Sequence, residues 1–421
     1  MSLLKLKELN NRKGVPLVHS TYNNDFLNRL IGDSISFWID SSGGPKELCN
    51  KSFYGTDPKY YIYGSLNEVN FVDCCRDVPP ERLYINCFDF LEEKLQEEKA
   101  NTNGVFVGYI AYDLFSCRNA INRVSTYPDF FFAYFDKMHD VKDRQDLSCR
   151  YRAFDGALCS NMTDSEYLEK VKQIKAEIKA GNVYQVNLTR EYSIQMPDVR
   201  AQMSELDIYL KLRSLSPNPY GCFFKTPLVN ILSSSPEEFL YIKDDYIRTR
   251  PIKGTLPKSE FNIDPKNKAE NIMIVDLERN DLGKICEYGS VKAEKLLEIE
   301  SYEHLNHVVS TVEGKLKPDT KLKQIFEALF PSGSITGAPK IAAMKIINEI
   351  ESTKRGAYTG TFGYIRTDGT MNFNILIRTI FVHNGKITFN IGGGIVADSD
   401  PQGELDEINL KAKGIISALQ C

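Results

Sequence analysis

Ile375-Leu376-Ile377-Arg378-Thr379-Ile380-Phe381-Val382-His383, then Asn384-Gly385, then Lys386-Ile387-Thr388-Phe389-Asn390-Ile391 is the stretch on which the fold reading turns. Two apolar, β-branched runs flank an Asn-Gly pair. That pair suits a type I′ turn, whose two central residues both need positive φ, so the stretch reads as a β-hairpin. A helix follows over about 404–419, with Leu405, Ile408, Ala412, Ile415 and Leu419 on one apolar stripe. Antiparallel strands that run on into a helix are not the alternating unit of a doubly wound parallel sheet.

The same mixture recurs upstream. Thr163-Asp164-Ser165-Glu166 fits a capping box. Tyr167, Val171, Ile174 and Ile178 then recur at helical spacing, and Gly181 stands at the C-terminal stop. Strands are expected at 221–224, 229–232, 239–242 and 246–250. Asp264-Pro265 is an N-cap with Pro at the first helical position and opens a helix to about Leu282. Further helices are expected at 319–330 and 339–351. Residues 1–140 read as β-rich, with short buried strands at 37–39, 105–110 and 130–134 and a turn at Ser42-Gly43-Gly44-Pro45. Strands and helices interspersed without strict alternation indicate a large α+β architecture. A polar stretch at 139–163, with Asp140, Lys142, Asp143, Arg144, Gln145 and Asp146, is the expected boundary between an N-terminal region (1–150) and a second region (163–420).

The 421 residues exceed one ordinary domain of roughly 100–200 residues, so two domains or one composite domain are expected. Apolar content of 42% and charged content of 26% are globular values and exclude a disordered, collagenous or coiled-coil chain. Lys and Arg number 52 against 56 Asp and Glu, a net charge of −4. That leaves no basic footprint for nucleic acid, so the expected ligand is a small molecule or another protein. No apolar run approaches the roughly 18 residues that span a bilayer. Met1-Ser2-Leu3-Leu4-Lys5 lacks a secretory apolar segment. Ten scattered cysteines without a C-x-x-C read as reduced thiols in a cytoplasmic protein.

Common motifs are mostly missing. There is no G-x-x-x-x-G-K-[ST] loop, and Gly392-Gly393-Gly394 does not complete G-x-G-x-x-G. His304 and His307 have zinc-ligand spacing but no third ligand near them in sequence. Four clusters are less ordinary. Ser235-Pro236-Glu237-Glu238 ends an apolar strand: either a turn with solvated acids, or a carboxylate tuned in a cleft as a general acid. Arg250-Pro251-Ile252-Lys253-Gly254-Thr255 reads as a turn carrying one Lys. Such a Lys is usually solvated; buried, it loses charge and becomes a nucleophile. The helix opened by Asp264 carries Glu270 among apolar residues and ends in Asp276–Gly283, a charge-dense run that reads as a capped, solvated end. Glu404, Glu407 and Lys411 fall within about 60° of one another on the last helix. They are either a surface pair worth a few tenths of a kcal/mol, or two carboxylates for a hard cation and a Lys for a substrate anion, beside glycine N–H groups.

These residues, in order, resemble the chorismate-utilising enzymes: anthranilate synthase component I, aminodeoxychorismate synthase component I, and the isochorismate and salicylate synthases. The strings that carry the resemblance are Gly181–Thr189, Ser235-Pro236-Glu237, Pro251–Thr255, Ile274–Gly283, His307-Val308-Val309-Ser310, Gly333–Lys340, Gly360–Tyr364 and Gly392–Lys411, over about 165–420. Ile39-Asp40-Ser41 is similar to part of the family's N-terminal region. The resemblance implies two packed β-sheets with helices outside and a cleft between. It implies Mg²⁺ held by Glu270 and Glu407, with Glu404 a further ligand or a support behind them. Lys253 is implied as a nucleophile at C2 of chorismate, Glu237 as the general acid on the departing C4 hydroxyl, and His307 as a catalytic-site residue. Gly254, Thr255, Tyr358, Arg378, Gly392, Gly394 and Lys411 are the implied substrate contacts.

Within that family the string Pro-Ile-Lys-Gly-Thr is typical of aminodeoxychorismate synthases, and Pro-Ile-Ala-Gly-Thr of anthranilate synthases. Lys253 therefore favours 4-amino-4-deoxychorismate, a precursor of 4-aminobenzoate and folate, as product. No cysteine sits in a glutaminase-like nucleophile elbow. The expected ammonia source is a separate glutamine amidotransferase subunit, in a heterodimer. The competing expectations are anthranilate synthase component I, an isochorismate or salicylate synthase that uses water, and a non-catalytic regulator binding tryptophan or chorismate.

Overall fold

A computed structural model of the chain describes residues 24–49, 52–118, 126–141, 147, 156–195 and 204–419. Two antiparallel sheets dominate it. The first runs, in spatial order, 337–338, 185–195, 386–395, 379–383, 230–235, 220–225, 36–40, 53–56 and 139–140, with 158–160 on the side of 185–195. The second runs 252–257, 305–315, 246–250, 238–243, 371–375, 361–366, 105–110, 130–135, 60–65, 68–73 and 81–83, with 292–301 beside 305–315. Eight α-helices lie among the described residues.

The sheets pack face to face, and aromatic rings fill the space between them. Phe37 of the first sheet meets Phe135 of the second at 4.8 Å between ring centres, and Phe224 meets Phe131 at 5.7 Å. The outer face of the first sheet is covered by the helices Asp164–Lys179, Glu205–Leu215, Lys340–Ile350 and Pro401–Leu419. The helices Cys87–Glu97, Pro265–Ile285 and Leu322–Leu329 cover the second. Central strands covered on both faces have no polar side to present. This explains the unbroken apolar run at Phe130–Phe135, every residue of which is buried.

The chain changes sheets twice at one place. Strand Asn230–Ser235 belongs to the first sheet and Glu238–Lys243 to the second; strand Met371–Ile375 belongs to the second and Thr379–His383 to the first. The two crossings are tied together. The Ser235 hydroxyl donates to the Ile375 carbonyl at 2.6 Å, the Ile375 N–H to the Glu237 carbonyl at 3.0 Å, and the Ser234 N–H to the Arg378 carbonyl at 3.1 Å. Glu237 and Arg378 thus sit side by side at the seam.

The α+β expectation holds, as do the caps at Thr163 and Asp264 and the hairpin turn, where Asn384 and Gly385 both have positive φ. Three local readings are corrected. Residues 375–383 are not one strand: the apolar run continues unchanged through the sheet change, so its hydrophobicity hides the break at Arg378, which adopts φ +52°. Residues 251–255 are not a free turn but the start of strand Ile252–Pro257, bulged between Ile252 and Thr255 against Leu305–Lys315. The end of helix Pro265–Ile285 is not wholly solvated, because Glu278 and Asp281 are buried against the 332–334 segment and Lys340.

Helices Asp25–Gly32, Cys87–Glu97 and Glu205–Leu215 were not anticipated, although Ser204-Glu205-Leu206-Asp207 spells a capping box. Strands from 1–150 and from 163–420 share both sheets. Of the polar stretch between these regions, 142–146 and 148–155 lie outside the described residues, as does Met1–Lys5.

The interlayer rings make a stability prediction. Phe131 is fully buried and stacks on Tyr61 at 5.2 Å. Phe131→Ala should cost about 3–5 kcal/mol through lost burial and a cavity. Tyr288→Ala, at a fully exposed ring, should stay within about 0.5 kcal/mol. Urea unfolding midpoints of the two variants check this.

Candidate active site

The bulge in strand Ile252–Pro257 aims one side chain. Gly254 has φ +100°, a conformation a side chain resists. A Cβ there would also meet Asn267 and Val308 at 3.2 Å, so the glycine admits the helix Pro265–Ile285 beside it. Asn271 on that helix donates to the Lys253 carbonyl at 3.5 Å, and Ser310 holds Asn271. With its backbone held in this way, Lys253 sends its amine inward to the Ser334 carbonyl at 2.7 Å. Burial lowers the Lys253 pKa; Glu237 and Glu270 oppose that, Lys411 adds to it, and the outcome is a lowered value.

Glu237 is buried at the seam, 3% exposed. One carboxyl oxygen accepts the Ile252 N–H at 3.2 Å. Burial raises its pKa, against the pull of Ser334, Lys253, the Ile252 N–H and Arg378. Lys253 is thus driven toward the neutral amine and Glu237 toward the neutral acid. The amine of Lys253 rests on the Ser334 carbonyl, and the Ser334 side chain favours the charged form of Glu237. A nucleophile and an acid with pKa values drawn toward neutrality is the arrangement that acid-assisted displacement requires.

Arg378 reaches into the same space from the second crossing. Its guanidinium contacts His307 Nε2 at 3.4 Å and Ser216 Oγ at 3.4 Å. Among the described residues no carboxylate lies within 4.0 Å of it, so its forked N–H groups are available to an anion. His307 is buried, and its Nδ1 lies 3.2 Å from Thr255 Oγ1. Burial, then Arg378, pushes its pKa down to about 3, so the imidazole is neutral in ordinary buffers. A neutral ring facing Arg378 through Nε2 accepts there and donates from Nδ1 toward Thr255 and Gly254. His304 is exposed and pairs with Glu303, so the two histidines do not form a metal site.

The carboxylates line the other side. Glu270 and Glu404 both lie near Lys266, at 3.9 and 4.0 Å, which joins the helices Pro265–Ile285 and Pro401–Leu419 across the cleft. The Ser399 hydroxyl donates to Glu404 at 2.6 Å. Burial raises the pKa of Glu270 and of Glu404, and the charge of Glu407 adds to both. Glu407 is half-exposed; burial pushes it up, but Lys411, ion-paired at 2.6 Å, outweighs this and holds it low. Among the described residues no group of three or more His, Cys, Asp or Glu is gathered for a metal. Two facing carboxylates that repel each other fit a hard cation completed by water and substrate oxygens. Lys411 also donates to the Gly392 carbonyl at 3.3 Å. Gly392 and Gly394 alternate with Gly393 on strand Lys386–Ile395. A Cβ at Gly392 would approach the buried Tyr358 hydroxyl at 3.3 Å, and one at Gly394 would strike Gln185 at 2.7 Å. The structure therefore gathers the expected residues around one cleft, with Thr255 at its exposed rim.

Several residues at this site went unassigned from sequence. The Ser334 carbonyl accepts Lys253 and also Asn187 Nδ2 at 2.9 Å. Arg355, paired with Glu351, braces the Asn187 and Ile335 carbonyls at 2.9 and 3.0 Å. Asn187 and Ser334 lie in strings noted above, but a serine's use of its carbonyl leaves no mark in residue type.

Residues 150–417 match the family model described as chorismate binding enzyme. Aminodeoxychorismate synthase component 1 of Bacillus subtilis is 38% identical over 276 residues, covering 63% of this chain and 58% of that protein. An anthranilate synthase component I-like protein of Synechocystis is 39% identical over 266 residues, covering 61% and 54%. The matched stretch thus spans little more than half the length of these curated relatives. Anthranilate synthase component I of Streptococcus pneumoniae superposes with a TM-score of 0.72 over 99% of this chain and 97% of that one, at 23% identity, which speaks to the fold. No helix among the described residues is long and apolar enough to cross a membrane.

The neutral, buried His307 predicts a pH effect. Its folded pKa lies below its unfolded value of about 6.5, so the unfolded chain binds more protons between about pH 3 and 6.5. Stability contributed at this site is therefore present above pH 6.5 and lost as pH falls toward 3. Denaturation midpoints measured from pH 7 to 4.5 should fall less steeply in His307→Asn than in the parent.

Proposed function

This chain belongs to the chorismate binding enzyme family, and we propose that within it the chain converts chorismate and ammonia to 4-amino-4-deoxychorismate. One observation carries the reading: Lys253, on a bulged strand, holds an amine of lowered pKa against the Ser334 carbonyl, within electrostatic reach of the protonation-prone Glu237. Relatives about 38% identical bearing the name aminodeoxychorismate synthase component 1 support it.

In this reading the neutral Lys253 Nζ attacks C2 of chorismate as the C4–O bond breaks, and Glu237 gives its proton to the departing hydroxyl, which leaves as water. Ammonia then bonds to C4, the C2–N bond breaks, and its electron pair returns to Lys253. The new ammonium returns a proton to Glu237. Splitting one displacement into two keeps the C4 configuration and lowers each barrier. Arg378 takes one carboxylate of the substrate, steered by neutral His307; Lys411, Tyr358 and the backbone at Gly392 and Gly394 hold the other parts. Glu270 and Glu407, with Glu404 beside them, would hold Mg²⁺, which supplies charge stabilisation at the ring carboxylate. The ring carboxylate's pocket is completed by Gly254 and Thr255. Ammonia would come from a glutamine amidotransferase subunit, a reading supported by the word component in the relatives' names. The setting proposed is cytoplasmic, on the scattered cysteines.

Anthranilate synthase is the second reading, because relatives 39% identical carry that name. It would release pyruvate and a fluorescent product.

Two outcomes are expected. Mixed with chorismate and Mg²⁺ but no ammonia, the parent should gain the mass of chorismate minus water on the peptide containing Lys253, and Lys253→Ala should gain none. No adduct under rapid quench, with normal turnover once ammonium is added, would leave Lys253 an electrostatic role alone. Glu270→Ala and Glu407→Ala should each raise the Mg²⁺ concentration for half-maximal turnover at least about tenfold, as expected when one of few anionic ligands is removed; an unchanged Mg²⁺ titration contradicts the ligand assignment.

A further inference from the structure

Glu351 ends the helix Lys340–Ile350, and Arg355 pairs with it from four residues on; each is 4% exposed. All five N–H groups of the Arg355 guanidinium have an acceptor. Nε and one Nη2 N–H take the two carboxylate oxygens of Glu351, at 2.9 and 2.7 Å. The second Nη2 N–H goes to the Asn187 carbonyl at 2.9 Å. Nη1 donates to the Ile335 carbonyl at 3.0 Å and to Thr359 Oγ1 at 3.3 Å. The guanidinium lies over the ring of Tyr112, 4.6 Å from its centre. Tyr112 stands outside the residues that match the family model.

These bonds converge on the group that receives Lys253. Asn187 gives its backbone N–H to the Thr336 carbonyl at 2.8 Å and its side-chain N–H to the Ser334 carbonyl at 2.9 Å. Ile335 follows Ser334 in the chain. Arg355 therefore fixes both the residue after the Ser334 carbonyl and the side chain bonded to it. That carbonyl accepts Lys253 Nζ at 2.7 Å. On the other side of Arg355, Thr359 Oγ1 donates to the Tyr358 carbonyl at 2.6 Å. Thr359 has φ +56°, which a β-branched residue resists, so the turn beside Tyr358 is held against local preference. The N-terminal region grips the same turn. The Tyr112 N–H donates to the Gly356 carbonyl at 2.8 Å, and the Asp113 carboxylate accepts the Gly356 N–H at 2.8 Å.

We propose that Arg355 is a positioning residue for Lys253 and Tyr358: seated on Tyr112, its guanidinium ties strand Gln185–Gln195, the 334–336 segment and the 356–359 turn into one frame. Stability alone does not account for the pair. Stripping water from two charges costs about what their attraction returns, and an apolar pair of similar volume commonly serves the fold as well. An apolar pair cannot hold three chain segments at fixed distances. Lysine cannot either, since its N–H groups sit on one atom and lack the planar fork. Burial works against the charge on Arg355, and Glu351 outweighs it, so the fork stays charged.

The proposal rests on Lys253 acting as the nucleophile, and the test separates the two. Arg355→Lys keeps a charge beside Glu351 but loses the fork. Arg355→Met alone would strand the Glu351 carboxylate and endanger folding, so it is paired with Glu351→Gln, whose amide oxygen still accepts the Thr189 N–H. Amide hydrogen exchange of the substrate-free chain, followed by mass spectrometry, reads the frame without chorismate. In both variants exchange should be at least about tenfold faster at 333–337 and 357–360, and within about twofold of the parent in the buried strand Phe130–Phe135. In steady-state chorismate consumption with ammonium chloride and Mg²⁺, both should lose kcat by about ten- to a hundredfold, as misplaced reacting groups do, with a smaller rise in KM for chorismate. The rate of adduct formation on the Lys253 peptide at saturating chorismate without ammonia should fall with kcat. Exchange that quickens equally at Phe130–Phe135 would make the role one of general stability and overturn the proposal. So would unchanged exchange at 333–337, or a kcat within about twofold of the parent in either variant. A parent that consumes no chorismate, with exchange behaving as described, would instead overturn the functional reading and leave the hold of Arg355 on the Ser334 carbonyl standing.

Discussion

Everything at the cleft depends on the paired sheet change. Two neighbouring chain segments leave one sheet for the other at the same place, and their backbones bond to each other as they cross. Within a strand, successive side chains alternate between the two faces of its sheet. At a crossing the segment belongs to neither sheet, and its side chains can turn into the space between them. Glu237 follows Ser235 and Pro236 off the first sheet, and Arg378 turns through positive φ on its way back. Both are thereby exposed to a space that the sheets and the two covering helices enclose.

That enclosure sets the electrostatics. Burial is the largest influence on the pKa of Lys253, Glu237, Glu270, His307 and Arg378 alike, and each is moved toward its neutral form. Among the described residues Arg378 has no carboxylate within 4.0 Å, and Lys253 rests on a carbonyl rather than an acid. Two carboxylates on the far wall, bridged by Lys266, balance the cations. The cost of burying so many polar groups is offset by hydrogen bonds to backbone and serine groups, with the Ser334 carbonyl accepting from both Lys253 and Asn187.

Much of the architecture was legible because helix caps and turns are written locally. Thr163, Asp264 and Asn384-Gly385 announce their own geometry. The strand class of the central runs was legible too, but where a run changes sheets was not: residues 375–383 stay apolar throughout, since both sheets bury what they hold. Lys253, Glu237 and the last-helix carboxylates stood out through their company in the chain. Residue spacing alone left each of them with a bland alternative, and what raised them above it was their likeness to a known set of strings. The bulge at Gly254, the carbonyl of Ser334 and the burial of Glu278 had no such signal. Each arises from pairing across more than fifty residues of chain, which local pattern does not record.

The most direct test of the account is the identity of the product. Chorismate labelled at carbon, ammonium chloride labelled with nitrogen-15, Mg²⁺ and this chain should give, by NMR, a compound with nitrogen bonded to C4 and the enolpyruvyl group retained. Nitrogen at C2 with release of pyruvate, or loss of chorismate that does not depend on ammonium, would contradict it.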